Sequence, residues 1–116
     1  MKKSSIFVRT TFIGFHHWPA APKEVAFLRS LHRHVFHVEV HVKVSHGDRD
    51  VEFFTLKNQV GSLIEAYIFP ELVKNPKQSC EMLAEEIWAA IENTYGHSVT
   101  KVVVSEDGEN GATIEI

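Results

Sequence analysis

From His32 to Val44 the chain alternates with a period of two. The even positions read His32, His34, Phe36, Val38, Val40, Val42 and Val44, and the odd ones Arg33, Val35, His37, Glu39, His41 and Lys43. Successive strand side chains point to opposite faces, so thirteen residues of this pattern predict a long strand with one buried face. That face opens with two histidines before it turns wholly apolar, which constrains both the fold and the chemistry.

The other elements are arranged around this strand. An earlier strand is expected from about Ser5 to His16, with Ile6, Val8, Thr10, Phe12, Gly14 and His16 on one side. Residues 17–30 read as a connection broken by Pro19 and Pro22, with room for one helical turn at Glu24–Arg29. After a turn at His46–Arg49, a helix is expected from about Val51, with Phe53, Leu56, Val60, Leu63, Ile64 and Tyr67 on its apolar stripe. Pro70 and Pro76 are expected to bracket a loop. A second helix then starts behind the N-cap Ser79, buries Leu83, Ile87, Ala90, Ile91 and Tyr95, and stops at Gly96. The last element is a hairpin, Val99–Glu106 and Ala112–Ile116, turning at residues 107–111.

The order β-β-α-α-β-β implies an α+β fold: an antiparallel four-stranded sheet with two helices on one face. At 116 residues it reads as a single domain, 1–116. The opposite sheet face and the sheet edges then need cover, which makes a homo-oligomer the physical expectation.

Bulk charge narrows the partners. A formal net charge of -3 gives no electrostatic basis for nucleic acid, and no apolar run approaches the ~20 residues that cross a membrane. The start of the chain lacks a signal-peptide core, so a cytoplasmic location is expected. Cys80 is the only cysteine, which excludes an intrachain disulfide and a multi-cysteine metal site.

Eight histidines remain to be explained. His32 and His34 project from the apolar side of their strand, where an unpaired imidazole nitrogen costs on the order of 1–3 kcal/mol. A metal ion satisfies both rings at once, and Zn2+ suits neutral imidazole, commonly with three protein ligands and one open place. His16 closes the first strand on its own inward face. If the two strands pair as a hairpin, it meets His32, whereas the parity of His17 points away. The alternative is three ordinary core histidines without a metal.

The stretch Phe12-Ile13-Gly14-Phe15-His16, followed by Leu31-His32-Arg33-His34-Val35-Phe36, resembles the 6-pyruvoyltetrahydropterin synthase and 6-carboxytetrahydropterin synthase family. The resemblance continues in Val51-Glu52-Phe53 with Leu56-Lys57, in Ser79-Cys80-Glu81-Met82-Leu83-Ala84, and in Val102-Val103-Val104-Ser105-Glu106. It implies the tunnelling fold, assembled as a hexamer of two trimers, with Zn2+ on His16, His32 and His34. It also implies a small-molecule pterin or purine-like ligand, its guanidine-like edge anchored by Glu106 and contacted by Ser79 and Cys80 at the helix start. The implied activity is a zinc-dependent carbon–oxygen lyase acting on a compound like dihydroneopterin triphosphate, in biopterin or 7-deazaguanine (queuosine) synthesis.

The chain departs from the family pattern in its proton relay. The family's cysteine is absent from Ala26–Ser30, and its Asp-His pair is absent from Glu65–Pro70. Cys80 is the candidate catalytic replacement, since a thiol at a helix N-terminus can have a lowered pKa; Glu81, His17 and His97 are weaker candidates. The other reading is a catalytically inactive relative that keeps the metal and the pocket as a binding module.

Overall fold

The computed structural model describes residues 2–116. Strands β1 (Ser4–His16), β2 (His32–Val44), β3 (Val99–Glu106) and β4 (Asn110–Glu115) form one antiparallel sheet in the order β1-β2-β3-β4. The registers set the site. His16 pairs with His32, Gly14 with His34, and Phe12 with Phe36. On the far side of β2, Phe36 pairs with Glu106. Directly opposed residues share a face, so all these side chains lie on one side of the sheet.

The even face of β2 is the buried one. Phe36, Val38, Val40 and Val42 form the core with Val102 and Val104 of β3. Helix α3 (Cys80–Tyr95) closes over them with Leu83, Ile87 and Ile91. It begins as its sequence asks: the Ser79 hydroxyl accepts the Met82 N–H at 3.2 Å.

The first helix differs from its expectation. It starts at Phe53, capped by Glu52, whose carboxylate accepts the Phe54 and Thr55 N–H groups at 2.7 and 3.0 Å. After α1 (Phe53–Leu63) the chain makes a π turn, Ile64–Ile68, with the Phe69 N–H reaching back to the Ile64 carbonyl, and continues as α2 (Phe69–Lys74). Pro70 therefore lies at the start of α2 instead of starting a loop; the π turn just before it interrupts the regular i→i−4 ladder, which accommodates a residue with no N–H to give. The buried row is Leu56, Val60, Ile64, Ile68 and Leu72, one every four residues. At 3.6 residues per turn such a row drifts by about 40° per step, and the wider π turn takes back part of that drift. Phe53 and Tyr67, expected on the stripe, are 53% and 64% exposed instead.

The face opposite the helices is uncovered in this chain. Phe7, Ile13 and Phe15 of β1 each leave about half of their surface exposed there. No helix among the described residues is long and apolar enough to cross a membrane.

Candidate metal centre

The three histidines converge. Their ring centroids lie 4.7 Å (His16–His32), 5.1 Å (His16–His34) and 4.9 Å (His32–His34) apart. One ligating nitrogen from each lies within 4.8 Å of the other two. The floor beneath them is Phe36, wholly buried, with its ring 5.2 Å from that of His16. Gly14 makes the space. A Cβ there would meet Leu72 Cδ2 at 2.8 Å and the Phe36 ring at 3.1 Å, so a side chain opposite His34 would collide with the packing of α2 and β2.

Each imidazole has its Nδ1 engaged from behind. His16 Nδ1 lies 2.8 Å from the Gln78 carbonyl, His32 Nδ1 2.8 Å from the Ser30 carbonyl, and His34 Nδ1 2.7 Å from Asp107 Oδ2. Carbonyls and carboxylates accept, so all three rings donate from Nδ1 and turn Nε2 inward, where that of His16 faces Glu106 and those of His32 and His34 face no hydrogen-bond partner. His32 Nε2 and His34 Nε2 are both buried without a hydrogen-bond partner. Three inward nitrogens close to one another, two of them orphaned, are a donor set able to hold a metal ion, with outer partners behind each ring. By the chemistry of these donors, the residues fit Zn2+. Burial and the facing His32 and His34 rings hold His16 below the usual histidine pKa, against the Gln78 carbonyl and Glu106, and so favour the neutral ring a metal needs.

Asp107 was not singled out in the sequence, where it reads as part of the β3–β4 turn. It adopts φ 56° beside Gly108 at φ 72°, the positive-φ pair of a tight hairpin turn. That turn also aims its carboxylate: Oδ2 meets His34, while Oδ1 accepts the Val35 N–H at 2.9 Å. Hydrogen bonds from His34 and Val35 keep Asp107 below the ordinary carboxylate range. The Ser30 and Gln78 carbonyls are main-chain groups, which no residue type announces.

A pocket of 470 Å3 opens beside the histidines, lined by His16, His32, Ser79, Cys80, Glu106 and neighbours that include His17 and Glu81. Glu106 Oε2 sits 3.0 Å from His16 Nε2 and Oε1 3.6 Å from His34 Nε2. The structure thus gathers every residue expected at the site. His97 alone among the weaker candidates lies elsewhere, just before Val99 at the far end of β3 from Glu106.

One expectation is reversed. The Cys80 thiol does not have a lowered pKa. Burial first, then the Glu106 and Glu81 carboxylates, push it up to about 12. At neutral pH it is a thiol rather than a thiolate.

No protein-family model matches the sequence, and no curated protein does. Among solved structures, the 6-pyruvoyl tetrahydropterin synthase of Caenorhabditis elegans superposes with a TM-score of 0.74 at 13% identity, covering 100% of this chain and 97% of that one. The chain has the tunnelling fold of that synthase. At this identity the likeness establishes the fold, and the site must be argued from its own residues.

Proposed function

We propose that this chain holds Zn2+ on His16, His32 and His34 and takes a small pterin or purine-like ligand in the adjoining pocket, acting on it as a carbon–oxygen lyase of the 6-pyruvoyl/6-carboxytetrahydropterin synthase type. One observation carries the metal reading: the buried, unpartnered Nε2 atoms of His32 and His34, each on a ring fixed from behind at Nδ1. When bound, zinc would supply Lewis-acid polarisation of a ligand oxygen.

The residues of the chain do the rest. Glu106, at the inner wall of the pocket, is a carboxylate suited to a paired set of N–H donors such as a pterin or guanine edge presents. Ser79 and Cys80 line the pocket at the start of α3. With Cys80 held as a neutral thiol, proton transfer falls to His17 or Glu81 in the same pocket. The uncovered sheet face and the free edges of β1 and β4 support assembly into a closed oligomer, and the family resemblance is what makes that oligomer a hexamer of two trimers.

The raised Cys80 pKa favours a second reading, a relative that binds such a ligand without turning it over. Dihydroneopterin triphosphate and a non-reactive pterin, offered to the zinc-loaded protein, separate the two. Turnover that survives in Cys80→Ala supports a lyase working through other groups, and turnover abolished by that change restores the thiol to the mechanism. Saturable pterin binding without turnover establishes the module. Absence of both overturns the ligand assignment.

A further inference from the structure

Among the described residues, only two polar side chains are buried, His16 at 7% exposure and Gln78 at 2%. They belong to one hydrogen-bonded chain. The Gln78 carbonyl accepts from His16 Nδ1 at 2.8 Å. With its amide nitrogen turned toward α3, the orientation its surroundings require, Gln78 donates to both carboxylate oxygens of Glu86 at 2.7 and 2.8 Å. We propose that Gln78 is a positioning residue for the His16 imidazole, with Glu86 as its anchor; the proposal rests on the metal reading above.

The physical argument starts from the segment that carries Gln78. Residues 75–79 join α2 to α3 and lie outside both helices. Two of their carbonyls nevertheless reach the end of β1: that of Pro76 accepts the His17 N–H at 2.9 Å, and that of Gln78 accepts from His16. Something must fix this irregular backbone to within the tolerance of a hydrogen bond. Ser79 caps α3 downstream, but Gln78 itself is held by its side chain. An apolar residue would fill the same buried volume without the cost of desolvating an amide. The amide is explained by the partner it ties down, a Glu86 carboxylate raised in pKa by its own burial and by Glu71 on α2. The clamp fixes the Gln78 carbonyl, the carbonyl fixes the proton on His16 Nδ1, and Nε2 is left facing His32, His34 and the Glu106 carboxylate 3.0 Å away.

Two variants test it. Gln78→Met removes the clamp at constant bulk, and Glu86→Ala removes the anchor at a partly exposed position where folding is expected to survive. Zinc affinity is read by competition with a chromophoric chelator, and the His16 tautomer by nitrogen NMR of the metal-free protein. Each change is expected to weaken zinc binding by about 10–100-fold. The double variant should lose no more than the weaker single one, since both break the same chain. Glu86→Gln, which keeps an acceptor oxygen, should recover most of the affinity. Wild-type His16 should carry its proton on Nδ1, and the variants should show a mixture of tautomers. Folded variants with wild-type zinc affinity and an unchanged tautomer overturn the proposal. If the wild-type protein takes no zinc, the metal reading fails, and the tautomer measurement still decides the role of Gln78.

Discussion

Strand β2 carries histidines on both faces, and their nitrogens meet opposite fates. On the helix-covered side, His32 and His34 donate from Nδ1 and leave Nε2 buried and unpartnered. On the other side, His41 Nε2 is bonded to Glu39 at 2.5 Å, its ring stacks on Phe7 at 5.2 Å, and the same Glu39 takes Arg9 Nε at 2.6 Å. The second group is closed and asks for nothing further. The first has acceptors supplied from outside, which take the Nδ1 protons, and lone pairs collected inside, an arrangement whose cost in a buried site is removed by a cation. Residue type does not separate them; strand parity and the partners behind each ring do.

The largest effect that sharpens this contrast is expected from His34→Ala against His41→Ala. The first should abolish stoichiometric zinc binding and with it the rise in melting temperature on adding zinc. The second should leave both unchanged. Zinc-dependent stabilisation that survives His34→Ala, or is lost in His41→Ala, breaks the comparison.

A smaller effect is expected behind the ligands. Asp107→Ala leaves the three imidazoles in place but removes the carboxylate that orients His34, and should weaken zinc about 10–100-fold in a chelator titration. Equal affinity would mean that the turn fixes His34 without its carboxylate.

Gly14→Ala tests the space that admits the cluster. Its Cβ meets Leu72 and Phe36 closer than packing allows, so a loss of about 1–3 kcal/mol is expected in urea unfolding. An unchanged midpoint would show that Leu72 simply rotates away.

The smallest effect belongs to the closed group. Hydrogen bonds from His41, then Arg9, hold Glu39 below its usual pKa, so it contributes stability above the unfolded carboxylate pKa and loses it as pH falls through the lower folded value. Arg9 is largely exposed, so Glu39→Gln should cost no more than about 1 kcal/mol at pH 7. The difference should vanish in acid below the carboxylate range. A gap that persists there would point to packing rather than charge.

The parity of β2 was legible, because one face is dry and a slip of one residue would reverse it. The same logic placed His16 opposite His32, whereas Glu106 was reached through the resemblance of Val102–Glu106 to the family's last long strand. The first helix departs from its 3.6-residue stripe where a π turn resets its phase, since a period-four row and a 3.6 period agree for only a few turns, and Pro70, a stop signal by residue type, falls at the start of α2. Asp107 was hidden by its own turn, where Asp-Gly is expected for backbone reasons alone. Gln78 acts on His16 through its main chain. The Cys80 thiol was judged by its helix terminus, when burial and the facing carboxylates govern it.

Zinc counted per chain by elemental analysis, after metal-free protein is incubated with zinc and desalted, is the most direct test. One equivalent is predicted for the wild-type chain and none for a His16/His32/His34 triple alanine variant that remains folded. Wild-type protein without zinc, or a triple variant that retains a full equivalent, would contradict the assignment of a metal to these three rings.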